Sequence, residues 1–357
     1  MTRRVVALMV GTVLSALSGI SPARSQEPEE IGILLAAGDI SWCPREGWTR
    51  AKATGDKIRD VIKEAKVPVR VLALGDLAYK HGEKSQLECF AKNWAGFDDV
   101  LLPIPGNHEY DSKDAAPFFN HFKDNKFVHQ NDDPEPNEGD KGKNPRWDKK
   151  GYFSLDFPRQ DGPWLIVGLN DNFQEPAYKQ DMATQMKWMD KRLGSSALGG
   201  KTRCILAFWH APLFSSGQHG HEGYSHPKPD ASLSHERPMQ ASFRMLYNHG
   251  ASIVLSGHDH DYEQFAPHDA DGRPVADGIR SFVVGTGGSR LTKDFYKKPF
   301  AATSEDGPFG SVRGNQGVLK IDLYEDHYTW EFLQIASKGP KKGFPARPAR
   351  QDCNKPR

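Results

Sequence analysis

The sequence predicts an α/β protein with largely parallel but mixed β-sheets, and three observations support this class. Short apolar runs bounded by turn residues recur along the chain, which indicates buried strands. Stretches with a helical period lie between them, and strands that alternate with helices are typical of parallel sheets. Residues 317–336 instead alternate apolar and polar side chains around a central turn, which favours a closing antiparallel hairpin.

Taken in order, seven apolar runs are predicted to form strands and four patterned stretches to form helices. The predicted strands cover residues 31–37, 69–74, 100–104, 164–169, 204–209, 253–255 and 282–284. The predicted helices cover residues 50–66, 85–94, 180–193 and 239–248.

The composition indicates a soluble globular enzyme or binding protein. The chain has 357 residues, and its 37% hydrophobic and 26% charged residues exclude a membrane bundle or a disordered chain. Because 47 basic residues face 46 acidic ones, the net charge gives no reason to expect a nucleic-acid partner. Four cysteines are too few to act as a scaffold, so a hydrophobic core must stabilise the fold.

The N-terminus has the pattern of a secretory signal peptide. Two arginines precede an uncharged, mostly apolar run at 5–20 and a small-x-small sequence at 23–25. We predict a signal peptide at 1–25, cleaved near Ser25, and a secreted or periplasmic protein. A membrane anchor or a first core helix is the alternative. No other apolar run approaches the length of a membrane span, so we expect no membrane-spanning helix.

The C-terminus is predicted to be a solvated basic tail. Residues 337–357 hold seven lysines and arginines against one aspartate. An anionic partner for this tail is the sharper alternative. Residues 26–336 are therefore predicted to form the main domain.

Most predicted strands stop at residues that bind hard or borderline cations. The strand ends are Gly38-Asp39, Gly75-Asp76, Gly106-Asn107-His108-Glu109, His210 and Gly257-His258-Asp259-His260. The carboxyl ends of strands are where α/β sheets bind ligands. In an extended segment, His258 and His260 would lie on one face, about 6.5–7 Å apart. The set predicts a metal site at one edge of the sheets.

This ordered set, with Tyr79 three residues after Asp76 and with Trp209-His210-Ala211-Pro212, resembles the calcineurin-like metallophosphoesterases. Within that family it is most similar to the purple acid phosphatase branch, over about residues 31–290. The resemblance implies a four-layer α/β/β/α sandwich with two mixed β-sheets. It also implies that residues 26–336 are a catalytic domain that hydrolyses phosphate esters with two metals.

The resemblance also implies a ligand set, carried over position by position. The first metal would be bound by Asp39, Tyr79 and His260, the second by Asn107, His210 and His258, and Asp76 would bridge them. A phenolate is a hard anionic ligand, so the implied pair is Fe(III) with divalent Fe, Zn or Mn. The alternative for Tyr79 is a rim aromatic that makes no metal bond.

Two histidines are predicted to act on the substrate. In such a site a metal-activated hydroxide attacks the phosphate ester, and the leaving alkoxide needs a proton. His108 is the candidate general acid, because the adjacent Asn107 is a ligand; the alternative is that His108 orients a ligand. His219 lies nine residues after His210, which is similar to the spacing of a substrate-contacting histidine in the branch. His221 and His226 are expected at the loop surface.

Two further sets of residues are left open by the sequence. Glu109, Asp259 and Asp261 either orient the ligands or are solvated acids. Four cysteines allow three pairings. Cys43 follows the first motif and Cys89 lies beyond the second, so we prefer a Cys43–Cys89 disulfide in an exported protein. Cys204 is either a buried thiol or the partner of Cys353.

Two departures from the branch leave fine specificity open. Ser41 stands where the branch usually has glycine, and Gln264 where it usually has arginine. We expect an exported phosphomonoesterase that acts on a small-molecule phosphate ester. A phosphodiesterase or nucleotide hydrolase on the same site, or a non-catalytic metal-binding surface protein, is the alternative. The sequence does not determine the oligomeric state.

Overall fold

The computed structural model describes residues 28–43, 47–125, 151–172, 179–194, 203–217, 219, 239–292, 316–335 and 349–357. The predicted signal peptide at 1–25 lies outside these residues, as do His221 and His226. None of the helices in the described ranges combines the length and apolar character needed to cross a membrane.

The described part of the chain contains fourteen β-strands and six α-helices. The strands are β1 (Gly32–Ala37), β2 (Ser41–Trp42), β3 (Val69–Ala73), β4 (Ala78–Tyr79), β5 (Leu101–Pro103), β6 (Phe153–Phe157), β7 (Trp164–Gly168), β8 (Cys204–Phe208), β9 (Ile253–Ser256), β10 (Tyr262–Gln264), β11 (Arg280–Val284), β12 (Gly317–Leu323), β13 (His327–Gln334) and β14 (Ala349–Asp352). The helices are α1 (Gly47–Glu64), α2 (Lys84–Asn93), α3 (Asn107–Tyr110), α4 (Ala116–His121), α5 (Lys179–Gly194) and α6 (Gln240–Asn248).

The strands form two six-stranded sheets and one small sheet. The first sheet has the order β14-β13-β12-β1-β3-β5, and the second has the order β10-β11-β9-β8-β7-β6. In the first sheet the parallel strands β1, β3 and β5 adjoin antiparallel strands on one side, and in the second sheet the parallel group has an antiparallel strand on each side, so the sheets are mixed as predicted. The closing hairpin is formed by β12 and β13. The small sheet pairs β2 with β4 in parallel.

The two large sheets pack face to face, with helices outside them. Rings from both sheets meet between the layers, as where Tyr262 stacks on Phe332 with ring centroids 4.3 Å apart. Helix α1 packs against β12 of the first sheet. On the second sheet, α5 donates from Arg192 to Ser154 on β6, and Phe243 of α6 packs against Trp209. The predicted four-layer α/β/β/α arrangement is thereby confirmed.

The end of the chain is not a solvated tail over residues 349–357. Strand β14 pairs with β13, which would otherwise be the open edge of the first sheet. Beyond it, Asn354 is buried, and its side chain donates to the carbonyls of Ala251 and Gly278 at 2.8 and 2.7 Å. The prediction of a separate tail from 337 onward is wrong for this part, because strand pairing and buried hydrogen bonds hold it to the domain.

All four cysteines are paired, and both disulfides are ones that the sequence analysis considered. Cys43 is bonded to Cys89, as preferred from the sequence, with Cα atoms 6.5 Å apart. Cys204 is bonded to Cys353, with Cα atoms 5.4 Å apart, so Cys204 is not a free thiol. The second bond ties the chain end to the start of β8.

Candidate metal centre

The two large sheets deliver the predicted ligands to one edge. Asp39, Asp76 and Asn107 follow β1, β3 and β5 of the first sheet, whereas His210 and His258 follow β8 and β9 of the second. These five strand ends are carboxyl ends of neighbouring parallel strands, so their side chains meet at the rim where the sheets join.

A first group of donors surrounds the Tyr79 hydroxyl. The hydroxyl oxygen lies 2.7 Å from Asp39 Oδ1, 3.1 Å from Asp76 Oδ2 and 2.9 Å from His260 Nε2. The Tyr79 side chain is buried, with 1% of its surface exposed, so it is not a rim aromatic. All the residues predicted for the first metal therefore converge within contact distance.

A second group of donors surrounds His210 Nε2. This atom lies 3.0 Å from Asn107 Oδ1, 3.3 Å from Asp76 Oδ2 and 3.2 Å from His258 Nδ1. Ligand atoms of Asp76, His210 and His258 all lie within 4.8 Å of one another. Asp76 Oδ2 belongs to both groups, which is the position that a bridging carboxylate needs.

The chemistry of these donors fits a pair of cations. Asp39 and Asp76 are buried, and their ion-pair partners are imidazoles, with no lysine or arginine among the described residues paired to them. Buried carboxylates that lack such partners favour a bound cation. Carboxylate, amide, phenol and imidazole donors suit hard to borderline metals.

Hydrogen bonds orient the imidazoles toward the centre. Nδ1 of His210 lies 2.8 Å from the Leu74 carbonyl oxygen, and Nδ1 of His260 lies 2.7 Å from the Arg290 carbonyl oxygen. In both rings the proton therefore belongs on Nδ1, which leaves Nε2 to bind a metal. His258 instead faces the centre through Nδ1.

His258 and His260 do not share one face of an extended segment. His258 has a left-handed backbone with φ of 67°, and β9 and β10 end and begin on either side of the pair. The expected alternation is therefore wrong, because the turn sends His258 to the second group and His260 to the first.

The charges at the centre shift several pKa values. Burial acts to raise the pKa of Asp76, but the surrounding histidines, His210 first, lower it overall. Burial acts to lower the pKa of His210, but Asp76 and Asp39 raise it well above its usual value. Burial and the carboxylates of Asp39 and Asp76 raise the pKa of Tyr79. The phenol is therefore protonated at neutral pH.

Glu109 holds the loops that carry the predicted ligands Asp76 and Asn107. Its carboxylate accepts backbone N–H groups of Gly106 at 2.8 Å, Asp76 at 3.0 Å, Leu77 at 2.9 Å and Ala78 at 3.1 Å. Burial, reinforced by the charge of Asp76, raises the pKa of Glu109 to about 8. Of the two roles left open for Glu109, orientation of the ligand loops is the correct one.

The turn before Asn107 admits only glycine. A Cβ atom at Gly106 would lie 2.2 Å from Asp76 Oδ1. In the Gly-Asn-His-Glu sequence, Gly106 thus packs against the Asp76 carboxylate. Glu109, the last residue of the sequence, accepts the backbone N–H of Asp76.

Both predicted catalytic histidines lie beside the two groups. The backbone N–H of His108 donates to Asp76 Oδ1 at 2.9 Å, and its Nδ1 lies 2.6 Å from the Lys80 carbonyl oxygen. Its Nε2 lies 3.8 Å from Asp76 Oδ2. The His219 ring lies 4.4 Å from the His258 ring, between centroids.

Three acids near His258 and His260 are buried: Asp259 lies between the two histidines in sequence, and Asp261 and Glu263 follow them. Asp259 accepts hydrogen bonds from the Ser215 hydroxyl and from the His219 backbone N–H. Glu263 accepts the Ser216 backbone N–H at 2.8 Å. Asp261 is also buried. The alternative of solvated acids is wrong for Asp259 and Asp261, because both are buried and Gly217 lies against both of them.

Two residues bear on the centre in ways that the sequence did not predict. Asp171 is buried, accepts the Ala211 backbone N–H, and has a pKa of about 6, raised by burial and held down in part by His210. The signal was available, because Asp171 follows β7 as the other acids follow their strands. Trp42 stacks on the Tyr79 ring, a contact that no local pattern reveals.

A family model for calcineurin-like phosphoesterases matches residues 34–262. No curated protein sequence matches the chain significantly. Among solved structures, a purple acid phosphatase from yellow lupin (Lupinus luteus) seeds superposes with a TM-score of 0.61 at 15% identity, covering 87% of this chain and 52% of its own. This chain thus spans about half the length of the lupin enzyme.

Two other solved structures share the fold over most of their own length. GAP50, the anchor in the inner membrane complex of Plasmodium, has a TM-score of 0.54 at 12% identity and covers 92% of this chain and 90% of its own. A dimetal phosphatase from Danio rerio has a TM-score of 0.51 at 13% identity and covers 86% of this chain and 98% of its own. Because the family model spans most of the sequence, the chain belongs to the calcineurin-like phosphoesterase family.

Proposed function

We propose that the protein is an exported phosphomonoesterase of the purple acid phosphatase type that uses two metal ions. One observation carries this proposal: Asp76 Oδ2 lies 3.1 Å from the Tyr79 hydroxyl and 3.3 Å from His210 Nε2. A carboxylate oxygen shared by two donor groups reaches two adjacent cation sites. Paired cations are a common device for hydrolysing phosphate esters.

In the proposed site, Asp39, Tyr79 and His260 hold one metal, and Asn107, His210 and His258 hold the other, with Asp76 between them. When bound, two cations lower the pKa of a water molecule and neutralise charge on the phosphoryl oxygens. The phenol of Tyr79 supports Fe(III) at the first position, with divalent Fe, Zn or Mn at the second.

His108 is the proposed general acid. The bond from Nδ1 to the Lys80 carbonyl directs Nε2 toward Asp76, on the side where we place the substrate. From there, Nε2 protonates the leaving alkoxide. His219 is proposed to donate a hydrogen bond to the phosphate, which its contact with the His258 ring supports. The preferred substrate is a small phosphate monoester.

Export remains part of the proposal and has two supports. The residues at 1–25 have the composition of a signal peptide. Both cysteine pairs form disulfides, which persist in oxidising compartments. Fractionation of cells that express the protein, with N-terminal sequencing of the mature form, tests this point: an N-terminus near residue 26 outside the cytoplasm is expected, and an uncleaved cytoplasmic chain contradicts it.

A side-by-side assay tests the reaction. Purified protein is analysed for metal content and assayed with phenyl phosphate and with bis(p-nitrophenyl) phosphate. We expect two metals per chain, a clear preference for the monoester, and near-complete loss of activity in Asn107→Ala. Asn248→Ala, an exposed asparagine at the end of α6, is the matched control. A diester preference, or metal-loaded protein inert toward both esters, would overturn the proposal.

A further inference from the structure

We infer that Trp42 is a positioning residue for Tyr79, and that the Cys43–Cys89 disulfide holds Trp42 in place for this purpose. The inference rests on the proposed function, because it concerns how the first metal position is shaped. It adds a feature outside the ligand set: an aromatic platform on a covalently tied strand.

The two rings are stacked. Their centroids lie 5.1 Å apart and their planes are inclined by 12°. On the strand pair, Trp42 lies directly opposite Tyr79 in the β2–β4 register. Swinging the Tyr79 ring about its Cα–Cβ bond would carry the hydroxyl away from the centre and break this stack.

The hydroxyl of Tyr79 needs this restraint because it meets three partners at once. It contacts Asp39, Asp76 and His260 at distances between 2.7 and 3.1 Å. The His108 ring lies 4.6 Å from the Tyr79 ring, between centroids, so the phenol is also next to the proposed general acid. A small rotation of the ring would disturb all these contacts together.

Strand β2 is too short to hold its own position, and its neighbours fix it. Backbone N–H groups of Ile40 and Ser41 donate to the carbonyls of Asp76 and Leu77 at 2.9 and 3.1 Å. Immediately after Trp42, Cys43 is bonded to Cys89 on α2. From the same helix, the Asn93 amide donates to the Ser41 hydroxyl at 3.4 Å. The disulfide thus ties the strand that carries Trp42 to a helix.

The second disulfide provides a matched control. Cys204 begins β8, at the opposite end of that strand from His210, and Cys353 lies beyond β14. Removing this bond relaxes the chain end and leaves the β2–β4 pair unaltered. The two disulfides therefore separate an effect on the site from a general loss of stability.

The experiment compares metal-free wild type, Trp42→Phe, Trp42→Leu, Cys43→Ser/Cys89→Ser and Cys204→Ser/Cys353→Ser. Each is titrated with Zn²⁺ against a chromogenic chelator, and each is loaded with Fe(III) to record the visible phenolate-to-iron band. Circular dichroism and Tm report folding. Tyr79→Phe defines the spectrum without the phenolate.

We expect Trp42→Leu and the Cys43/Cys89 variant to weaken Zn²⁺ binding at least about 10-fold and to shift or weaken the band per bound iron. Trp42→Phe retains an aromatic face and is expected to stay close to wild type. The Cys204/Cys353 variant is expected to lose Tm while keeping wild-type affinity and band.

A folded Trp42→Leu protein with wild-type affinity and band overturns the inference. If that variant does not fold, the Cys43/Cys89 variant decides, because an unchanged affinity and band there overturn it equally. Failure of the proposed function gives a different result: wild type itself then binds fewer than two metals or shows no band.

Discussion

Three residues of the centre hold a backbone conformation that residues other than glycine seldom adopt. Asp39, Asp76 and His258 have φ values of 60°, 49° and 67°. Each such conformation costs on the order of 1 kcal/mol, so the surrounding loops must maintain it. The four backbone N–H groups that donate to Glu109 supply part of that restraint. The side chains are therefore aimed by the protein itself, ahead of any ligand.

The proposed role of His108 predicts a dependence on the leaving group. In His108→Ala, we expect kcat for an alkyl phosphate to fall by about 10²–10⁴, because the alkoxide then leaves without a proton donor. For p-nitrophenyl phosphate the loss should be much smaller, since nitrophenolate is a stable anion. Kinetics with both substrates, alongside metal content, measure this.

The half-buried His249 is the matched control position for that test, since it pairs with Asp190 on α5, away from the centre. In His249→Ala, kcat should be unchanged for both substrates. Equal losses for both esters in His108→Ala, with metal retained, would show that His108 has a role other than proton donation.

Burial of a second histidine, His268, should make the stability of the fold depend on pH. His268 is buried against Phe243 and Phe214, with its Nε2 2.9 Å from the Ser281 hydroxyl. Burial lowers its pKa from 6.5 to about 4. Above pH 6.5 the ring is neutral in both states. As pH falls from 6.5 to 4, the unfolded chain takes up the proton first, so stability is lost, by on the order of 3 kcal/mol in total.

Urea denaturation of metal-free protein at pH 7 and pH 5 tests this. From pH 7 to pH 5, the free energy of unfolding of wild type should fall by about 2 kcal/mol more than that of His268→Gln, because glutamine cannot titrate. Other buried acids contribute equally to both proteins and cancel in the difference. Identical pH dependence in the two proteins would contradict the assignment.

At the scale of elements, continuous apolar runs were predictable and short or edge strands were not. Predicted strands at 69–74 and 204–209 end within one residue of β3 and β8. Strands β2 and β4 have two residues each and exist because loops from separate strand ends meet. Strand β14 forms only because β13 leaves an edge for it. Both depend on contacts between distant parts of the chain, which periodicity does not encode.

Because buried hydrogen bonds attach residues 349–357 to the domain, we expect one polar residue there to contribute strongly to the free energy of unfolding. Asn354 donates through its backbone to Ser252 Oγ and through its amide to Ala251 and Gly278. Asn354→Ala leaves two buried carbonyls without donors, so we expect a loss of about 2–3 kcal/mol. Urea denaturation measures it, with exposed Lys355→Ala as the control. A loss equal to that of the control would mean that the end is solvated after all.

At the scale of the whole molecule, the position of the site could be inferred from the sequence, whereas its supports could not. Predicted ligands such as Asp76 and His210 follow apolar strands, and the carboxyl ends of parallel strands converge at one edge of an α/β sheet. Trp42 and Asp171 act through side-chain packing and burial. No spacing rule reports those, because the partners are far apart in sequence and are brought together only by the sandwich.

This arrangement predicts that metal binding links the two sheets. Asp39, Asp76 and Asn107 come from the first sheet, and His210 and His258 from the second, so a bound metal pair joins them. A ligand that binds only the folded state stabilises it by about 2.7 kcal/mol at 100 times its Kd. Both cysteine pairs are oxidised, so thiols do not compete for zinc in the unfolded chain.

Urea denaturation tests this link between the sheets. The free energy of unfolding with Zn²⁺ at 100 times its Kd should exceed that with EDTA by about 2.7 kcal/mol, both in wild type and in the exposed control Asp190→Asn. Asp76→Asn, which removes the shared carboxylate, should lose most of the difference; if it keeps the full difference, zinc binds elsewhere and the two sheets are not joined at this centre.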